Sequence, residues 1–106
     1  RGEIPCKKVY ENDHVLAFHD INPQKKVHVL VIPKGEYIDL DDFNNKASDK
    51  EIVELSKALT YVSNLLGAKD KGYRALTNIG DDGGQEVPHL HYHIFAGEKV
   101  GKMVSK

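Results

Sequence analysis

A single cysteine, Cys6, leaves the chain with no internal disulfide partner and without the ligand set of a cysteine-built zinc cage. The compartment this favours is a reducing cytoplasm. Cys6 itself reads as a small, partly buried side chain rather than a reactive thiol. Excess charge of either sign is also missing. The formal net charge is -1, so no bulk electrostatic case exists for nucleic acid or a membrane surface as a partner. No apolar run approaches the roughly 20 residues of a membrane span. No signal peptide is visible, and Arg1 to Pro5 reads as the end of a preceding segment, so that the N-terminus looks cut from a longer chain. Internal repeats, a linker and a second domain are absent as well. What remains is 106 residues, 40% hydrophobic and 29% charged, which suits one domain with a real core and is too apolar for disorder.

Strand signals dominate the first third. Lys8-Val9-Tyr10 is a short strand candidate, closed by the turn chemistry of Glu11-Asn12-Asp13. His14 to His19 is β-prone, with Leu16 and Phe18 on one side, and Asp20-Ile21-Asn22-Pro23 breaks it, since proline lacks an N–H and restricts the residue before it. Val27 to Ile32 is the strongest strand signal. His28, Leu30 and Ile32 share one face and Val27, Val29 and Val31 the other, and both faces look buried. His28 is then a polar group in an apolar strand and needs a partner.

Pro33 ends that strand, and Lys34 to Phe43 reads as a loop with a helical turn around Ile38 to Phe43. One clear helix begins at Ser48, which forms a capping-box pattern with Glu51. Ile52, Leu55, Leu59, Val62 and Leu66 make a single apolar stripe, and Gly67 stands where a left-handed C-terminal cap belongs. Such a stripe belongs against a sheet. Asp70-Lys71-Gly72 is a turn, Tyr73 to Ile79 a further strand, Gly80 to Gly84 a flexible loop, and Gly97 to Lys106 a short basic tail.

The chemistry concentrates in Pro88-His89-Leu90-His91-Tyr92-His93-Ile94-Phe95. Histidines alternate with apolar side chains, the period of a strand, which puts three imidazoles on one face. Imidazole carries both a lone pair and a proton to trade near neutral pH. One reading is a metal site, in which His-x-His offers two rings to a zinc ion and His28 a third, with Glu86 or Asp20 as the only carboxylates at hand. The preferred reading is nucleophilic catalysis at phosphorus. His91 is the central ring, flanked by His89 and His93. The loop Gly83-Gly84-Gln85 can bring backbone N–H groups close to a phosphoryl group, and Asn78 can add a side-chain donor. Asp81 and Asp82, in the same loop, would repel a phosphate and are expected to point to water.

These residues resemble a known family. The run His89 to Phe95 has the histidine-triad (HIT) pattern. Ala17-Phe18-His19-Asp20-Ile21-Asn22-Pro23-Gln24 with His28-Val29-Leu30-Val31-Ile32-Pro33 is similar to its first block, and Gly72-Tyr73-Arg74, Asn78 and Gly83-Gly84-Gln85 to its later one. The nearest branch is that of the histidine triad nucleotide-binding proteins, the purine nucleoside phosphoramidases. The resemblance implies a single HIT domain over 1–106. The α+β fold expected of it is an antiparallel sheet of about five strands with the Ser48–Leu66 helix packed against it. It also implies a homodimer, a purine nucleotide substrate such as an AMP conjugate, and neither metal nor cofactor. His91 would attack the α-phosphate, with His93 and Gln85 around the phosphoryl oxygens and His89 and His28 ordering the site and passing protons. Asp20 would take the ribose hydroxyls. Phe18, His19 and Ile21 would wall the base pocket, and Asn78, Gly84 and Glu86 would make other nucleotide contacts. Glu86 stands where some relatives carry serine.

Overall fold

The computed structural model describes residues 7–103; Cys6, the Arg1–Pro5 segment and the end of the basic tail lie outside them. Five strands, β1 (Lys8–Glu11), β2 (Val15–His19), β3 (Val27–Pro33), β4 (Arg74–Leu76) and β5 (Tyr92–Ala96), form one antiparallel sheet in the order β1-β2-β3-β5-β4. Two helices, α1 (Leu40–Lys46) and α2 (Asp49–Leu65), lie between β3 and β4 in the chain. The α+β expectation is met, with an additional short helix. That helix forms because Asp39 caps it, its carboxylate accepting from the Asp42 N–H at 2.8 Å. The expected loop therefore tightens into two turns rather than one.

α2 starts as its sequence dictates. Ser48 Oγ accepts from the Glu51 N–H at 3.1 Å and Glu51 Oε1 accepts from the Ser48 N–H at 2.9 Å, a complete capping box. Gly67, at φ 72°, ends it in the left-handed region. The helix buries Leu55, Ala58 and Val62 against Val15, Ala17, Val29, Val31 and Ile94 of the sheet, with Phe43 of α1 and Leu90 completing the core.

Among the described residues, helices cover one face of the sheet. On β3, Val29 and Val31 are buried under α2, while Leu30 and Ile32 on the opposite face are half-buried. The expectation that both faces are buried is met in part: on the face away from α2, His28 is buried at 4% exposure, while Leu30 and Ile32 beside it are only half-buried. The uncovered face carries Phe18, His28, Leu30, His93 and Phe95 in cross-strand register, with Phe18 and His93 both opposite Leu30, and His28 opposite Phe95. This is the face on which the chemistry is built.

Two strands are shorter than the alternation suggests. The sixth and seventh residues of Tyr73 to Ile79, Asn78 and Ile79, lie outside β4, as does Thr77. The histidine strand begins only at Tyr92. Before it, the Leu90 N–H donates to the Tyr37 carbonyl at 2.8 Å, and the His91 carbonyl accepts from Thr77 Oγ1 at 2.7 Å. Those bonds draw residues 89–91 off the ladder, and the outer strand loses its partner at the same point. The alternation itself survives: Leu90 and Ile94 are buried on the helix side, and His89, His91 and His93 are half-buried on the other.

Candidate active site

Four imidazoles share the open face, and their hydrogen bonds fix which nitrogen of each holds the proton. A backbone N–H can only donate and a carbonyl can only accept. The Gln24 N–H donates to His28 Nδ1 at 3.0 Å. A neutral His28 therefore carries its proton on Nε2, which lies 2.9 Å from His93 Nδ1 and 3.3 Å from Asp20 Oδ2. His28 donates to His93 Nδ1, and a neutral His93 then holds its own proton on Nε2. His91 Nδ1 donates to the carbonyl of His89 at 2.7 Å. A neutral His91 thus has a bare lone pair on Nε2. His89 Nε2 donates to the Pro33 carbonyl at 3.3 Å, a longer bond that orients the ring from the end of β3.

Both linked rings are kept neutral. Burial pushes the His28 imidazole below its ordinary value, and the Asp20 charge only partly opposes this. Burial, helped by the neighbouring His91 and His28 rings, lowers His93 to about 4, again against Asp20. Phe95 supplies much of the apolar wall. Its ring stacks on His93 at 5.7 Å between centroids and meets His28 at 4.4 Å. His91 meets His93 edge-on at 5.0 Å. Asp20 Oδ1 accepts from the Asn22 N–H at 2.9 Å, so the turn before Pro23 aims the carboxylate at the histidines.

Beside this cluster runs a groove of about 660 Å³ lined by Lys7, His19, Asp20, Ile21, Pro23, Lys26 and His28. That is within the usual size of a small-molecule site. Ile21 stands 82% exposed at its rim, an apolar surface available to a planar ligand. A second groove, about 620 Å³, lies under the C-terminal segment around Tyr73 and Arg74 and contains none of the histidines.

The residues expected for the site thus fall into two groups. His28, Asp20, His91 and His93 converge, with His19 and Ile21 on the adjoining groove and Phe18 on the same sheet face. The glycine loop behaves differently. The Gly84 N–H already donates to the Asp81 carbonyl and the Gln85 N–H to the Gly80 carbonyl, both at 3.0 Å. These two N–H groups, expected to face a phosphoryl group, instead close the loop on itself. The Gln85 amide is also occupied. Its Nε2 donates to the Ile38 carbonyl at 2.7 Å and the Val87 carbonyl at 3.1 Å, and its Oε1 accepts from the Gly80 N–H at 3.1 Å. Gln85 here is a brace between the loop and the α1 approach. Gly83 must be glycine, since a Cβ there would collide with the Ile79 backbone. Asn78 is half-buried two residues past β4, and Glu86, Asp81 and Asp82 are exposed.

Several contributors carried no sequence signal. Thr77 anchors the His91 carbonyl, and Tyr37 holds Leu90 through its own carbonyl while its hydroxyl donates to Glu51 Oε2 at 2.8 Å. The capping box of α2 is thereby tied to the histidine segment. Asp20, His28 and His93 are the described residues that could jointly approach a cation, with one ligand atom from each within 4.8 Å of the others.

Comparison with known proteins identifies the family. A model of the HIT domain matches residues 1–100. An uncharacterised HIT-like protein of Azospirillum brasilense is 58% identical over 106 residues, covering 100% of this chain and 87% of its own. One from Helicobacter pylori is 48% identical over 99 residues, covering 93% of this chain and 91% of its own. Among solved structures, a histidine triad protein from Clostridium difficile superposes with a TM-score of 0.84 at 45% identity, over 95% of this chain and 87% of that one. A HIT family hydrolase from Clostridium thermocellum gives 0.87 at 40% identity, over 96% and 89%. The chain therefore belongs to the HIT domain family.

Proposed function

We propose that this protein is a nucleotide hydrolase of the nucleotide-binding HIT branch, cleaving the P–N bond of nucleoside 5′-phosphoramidates or related adenylyl conjugates. One observation carries the reading: His91 gives its Nδ1 proton to the His89 carbonyl at 2.7 Å, which leaves Nε2 as a lone pair on the open face beside His93. That is the state a nucleophilic imidazole needs. Two displacements follow. His91 Nε2 attacks the α-phosphorus, the P–N bond breaks, and the amine leaves with a proton taken from solvent, to which the attacking water of the second step returns one. The phosphorylated ring is cationic, and the His89 carbonyl dipole faces the Nδ1–H that carries the charge. Water then attacks phosphorus, the bond to His91 breaks, and the nucleoside monophosphate departs.

The neutral His93, with its proton on Nε2, is the donor to the phosphoryl oxygens, held in that form by His28. Asp20 and the groove of His19 and Ile21 take the nucleoside, a purine in this reading, with Phe18 on the same sheet face as His28. His89 orders the segment from Pro33. Neither a metal nor a cofactor is required. Relatives described as HIT family hydrolases support hydrolysis. The reading extends to a cytoplasmic homodimer, for which β1 and β4, the outer strands of the sheet, offer edges. The test is product analysis on adenosine 5′-phosphoramidate and on a dinucleoside polyphosphate. Release of AMP from the first, lost in His91→Ala, supports the proposal. Turnover of the second alone would make the protein a polyphosphate hydrolase, and turnover of neither would leave a nucleotide-binding protein.

A further inference from the structure

The Asp20, His28 and His93 cluster has the donor types and the spacing of a cation site, with one ligand atom from each within 4.8 Å of the others. Its hydrogen bonding forbids that use. A metal can be bound only by an imidazole nitrogen whose lone pair is free. The Nδ1 lone pair of His28 is already taken by the Gln24 N–H at 3.0 Å. Its Nε2 faces the cluster, and a metal there needs the ring proton on Nδ1. That proton would point straight at the Gln24 N–H, two donors at hydrogen-bond distance with no acceptor between them. Deprotonating the ring altogether is the only other route, and it is far out of reach at neutral pH. The loop Asp20 to Gln24 is thus arranged so that its carboxylate and its last N–H act on the same ring from opposite sides.

We propose that the backbone N–H of Gln24 is a positioning group that holds the His28 proton on Nε2 and thereby keeps divalent cations out of the Asp20–His28–His93 cluster. The consequence runs one ring further. Because His28 donates at 2.9 Å to His93 Nδ1, the Gln24 N–H also dictates that His93 presents a proton, not a lone pair, at Nε2. An N–H sixty-nine positions upstream of His93 in the sequence thus decides which way that ring is polarised. The effect on turnover rests on the phosphoramidase reading; the tautomers and the cation exclusion do not. The side chain of Gln24 plays no part in this, since the donor is main-chain. Any residue except proline at that position serves equally.

The experiment is 15N NMR of histidine-labelled protein at neutral pH, where bonded and bare ring nitrogens have well-separated shifts, read with and without added Zn²⁺. The unaltered chain should show His28 and His93 both protonated at Nε2 and unperturbed by stoichiometric Zn²⁺. A His28 protonated at Nδ1, or stoichiometric zinc shifting both rings, would overturn the proposal. Gln24→Ala keeps the N–H and should retain both tautomers. Gln24→Pro removes the N–H, and should give a mixed His28 tautomer and Zn²⁺ binding tighter by about tenfold or more, the scale of one hydrogen bond to a buried group. An amide-to-ester replacement at residue 24 removes the same donor without constraining the backbone, and should behave alike even if the proline variant fails to fold. Unchanged tautomers in the ester protein would overturn the assignment. With an active enzyme, the ester protein should lose kcat with KM retained. The tautomer readout needs no substrate, so it returns its answer even if the protein proves to have no phosphoramidase activity.

Discussion

Acidification from pH 7.5 to pH 5.0 should destabilise the fold through His93, by an amount the site itself sets. The ring has an ordinary value of 6.5 and is held at about 4 in the folded protein. Over this window the unfolded chain takes up a proton at His93 while the folded chain stays neutral. A depressed folded value therefore contributes stability that is complete above about pH 6.5 and is lost as pH falls toward about 4. Integrating the linkage between the two pH values gives about 2 kcal/mol for this residue. The ring is only half-buried, and screening trims the figure toward about 1 kcal/mol. His28, shifted in the same direction by burial, adds to the loss. Urea unfolding monitored by circular dichroism should show a midpoint lower by roughly 1 M at pH 5.0, given typical slopes for a domain of this size. His93→Asn should flatten most of that pH dependence. Comparing each variant with itself at two pH values removes the packing cost of the substitution. Stability that is level across the window, or a dependence that His93→Asn leaves untouched, would refute the reasoning.

Other outcomes follow from individual contacts. Thr77→Val keeps the shape and removes the donor to the His91 carbonyl, so it should cost about 1 kcal/mol in stability and lower kcat more than it raises KM. Ser48→Ala breaks the capping box and should lower Tm by roughly 4–8 °C, the equivalent of about 1 kcal/mol, without altering nucleotide affinity measured by calorimetry. Asp20→Ala should weaken monophosphate binding while leaving chemistry on activated substrates detectable; unchanged affinity would remove Asp20 from the groove. Ile94→Ala, at the buried centre of β5, should cost about 2–5 kcal/mol in urea unfolding.

The elements that were legible in the sequence are those whose signals are local. α2 announces itself through Ser48, Glu51, the apolar stripe and Gly67, each acting within a turn of its neighbours. β3 is legible for the same reason, as an apolar run closed by Pro33. Misjudged boundaries arise where one strand depends on another. Thr77 to Ile79 would pair with residues 90–92 by the register of β4 on β5, but the Leu90 N–H goes to the Tyr37 carbonyl and the His91 carbonyl to the Thr77 hydroxyl, so the ladder stops at Leu76. The histidines were visible because imidazole is chemically distinctive. Their tautomers were not, because the deciding partners are main-chain: the Gln24 N–H, the His89 carbonyl and the Pro33 carbonyl. Such groups belong to every residue and leave no trace in composition. Gln85 shows the reverse case. Its amide reads as a ligand donor, but the fold uses both of its ends to tie the glycine loop to Ile38, Val87 and Gly80.

Covalent nucleotidylation of His91 is the step on which the proposed hydrolysis turns. Rapid acid-free quenching of the protein with adenosine phosphoramidate labelled at the α-phosphorus, followed by peptide mapping, measures this. The predicted result is label on His91 that forms no more slowly than AMP is released, and that is absent from His91→Ala. AMP release in the first turnover with no label on any histidine, or label on His89 or His93 instead, would contradict it.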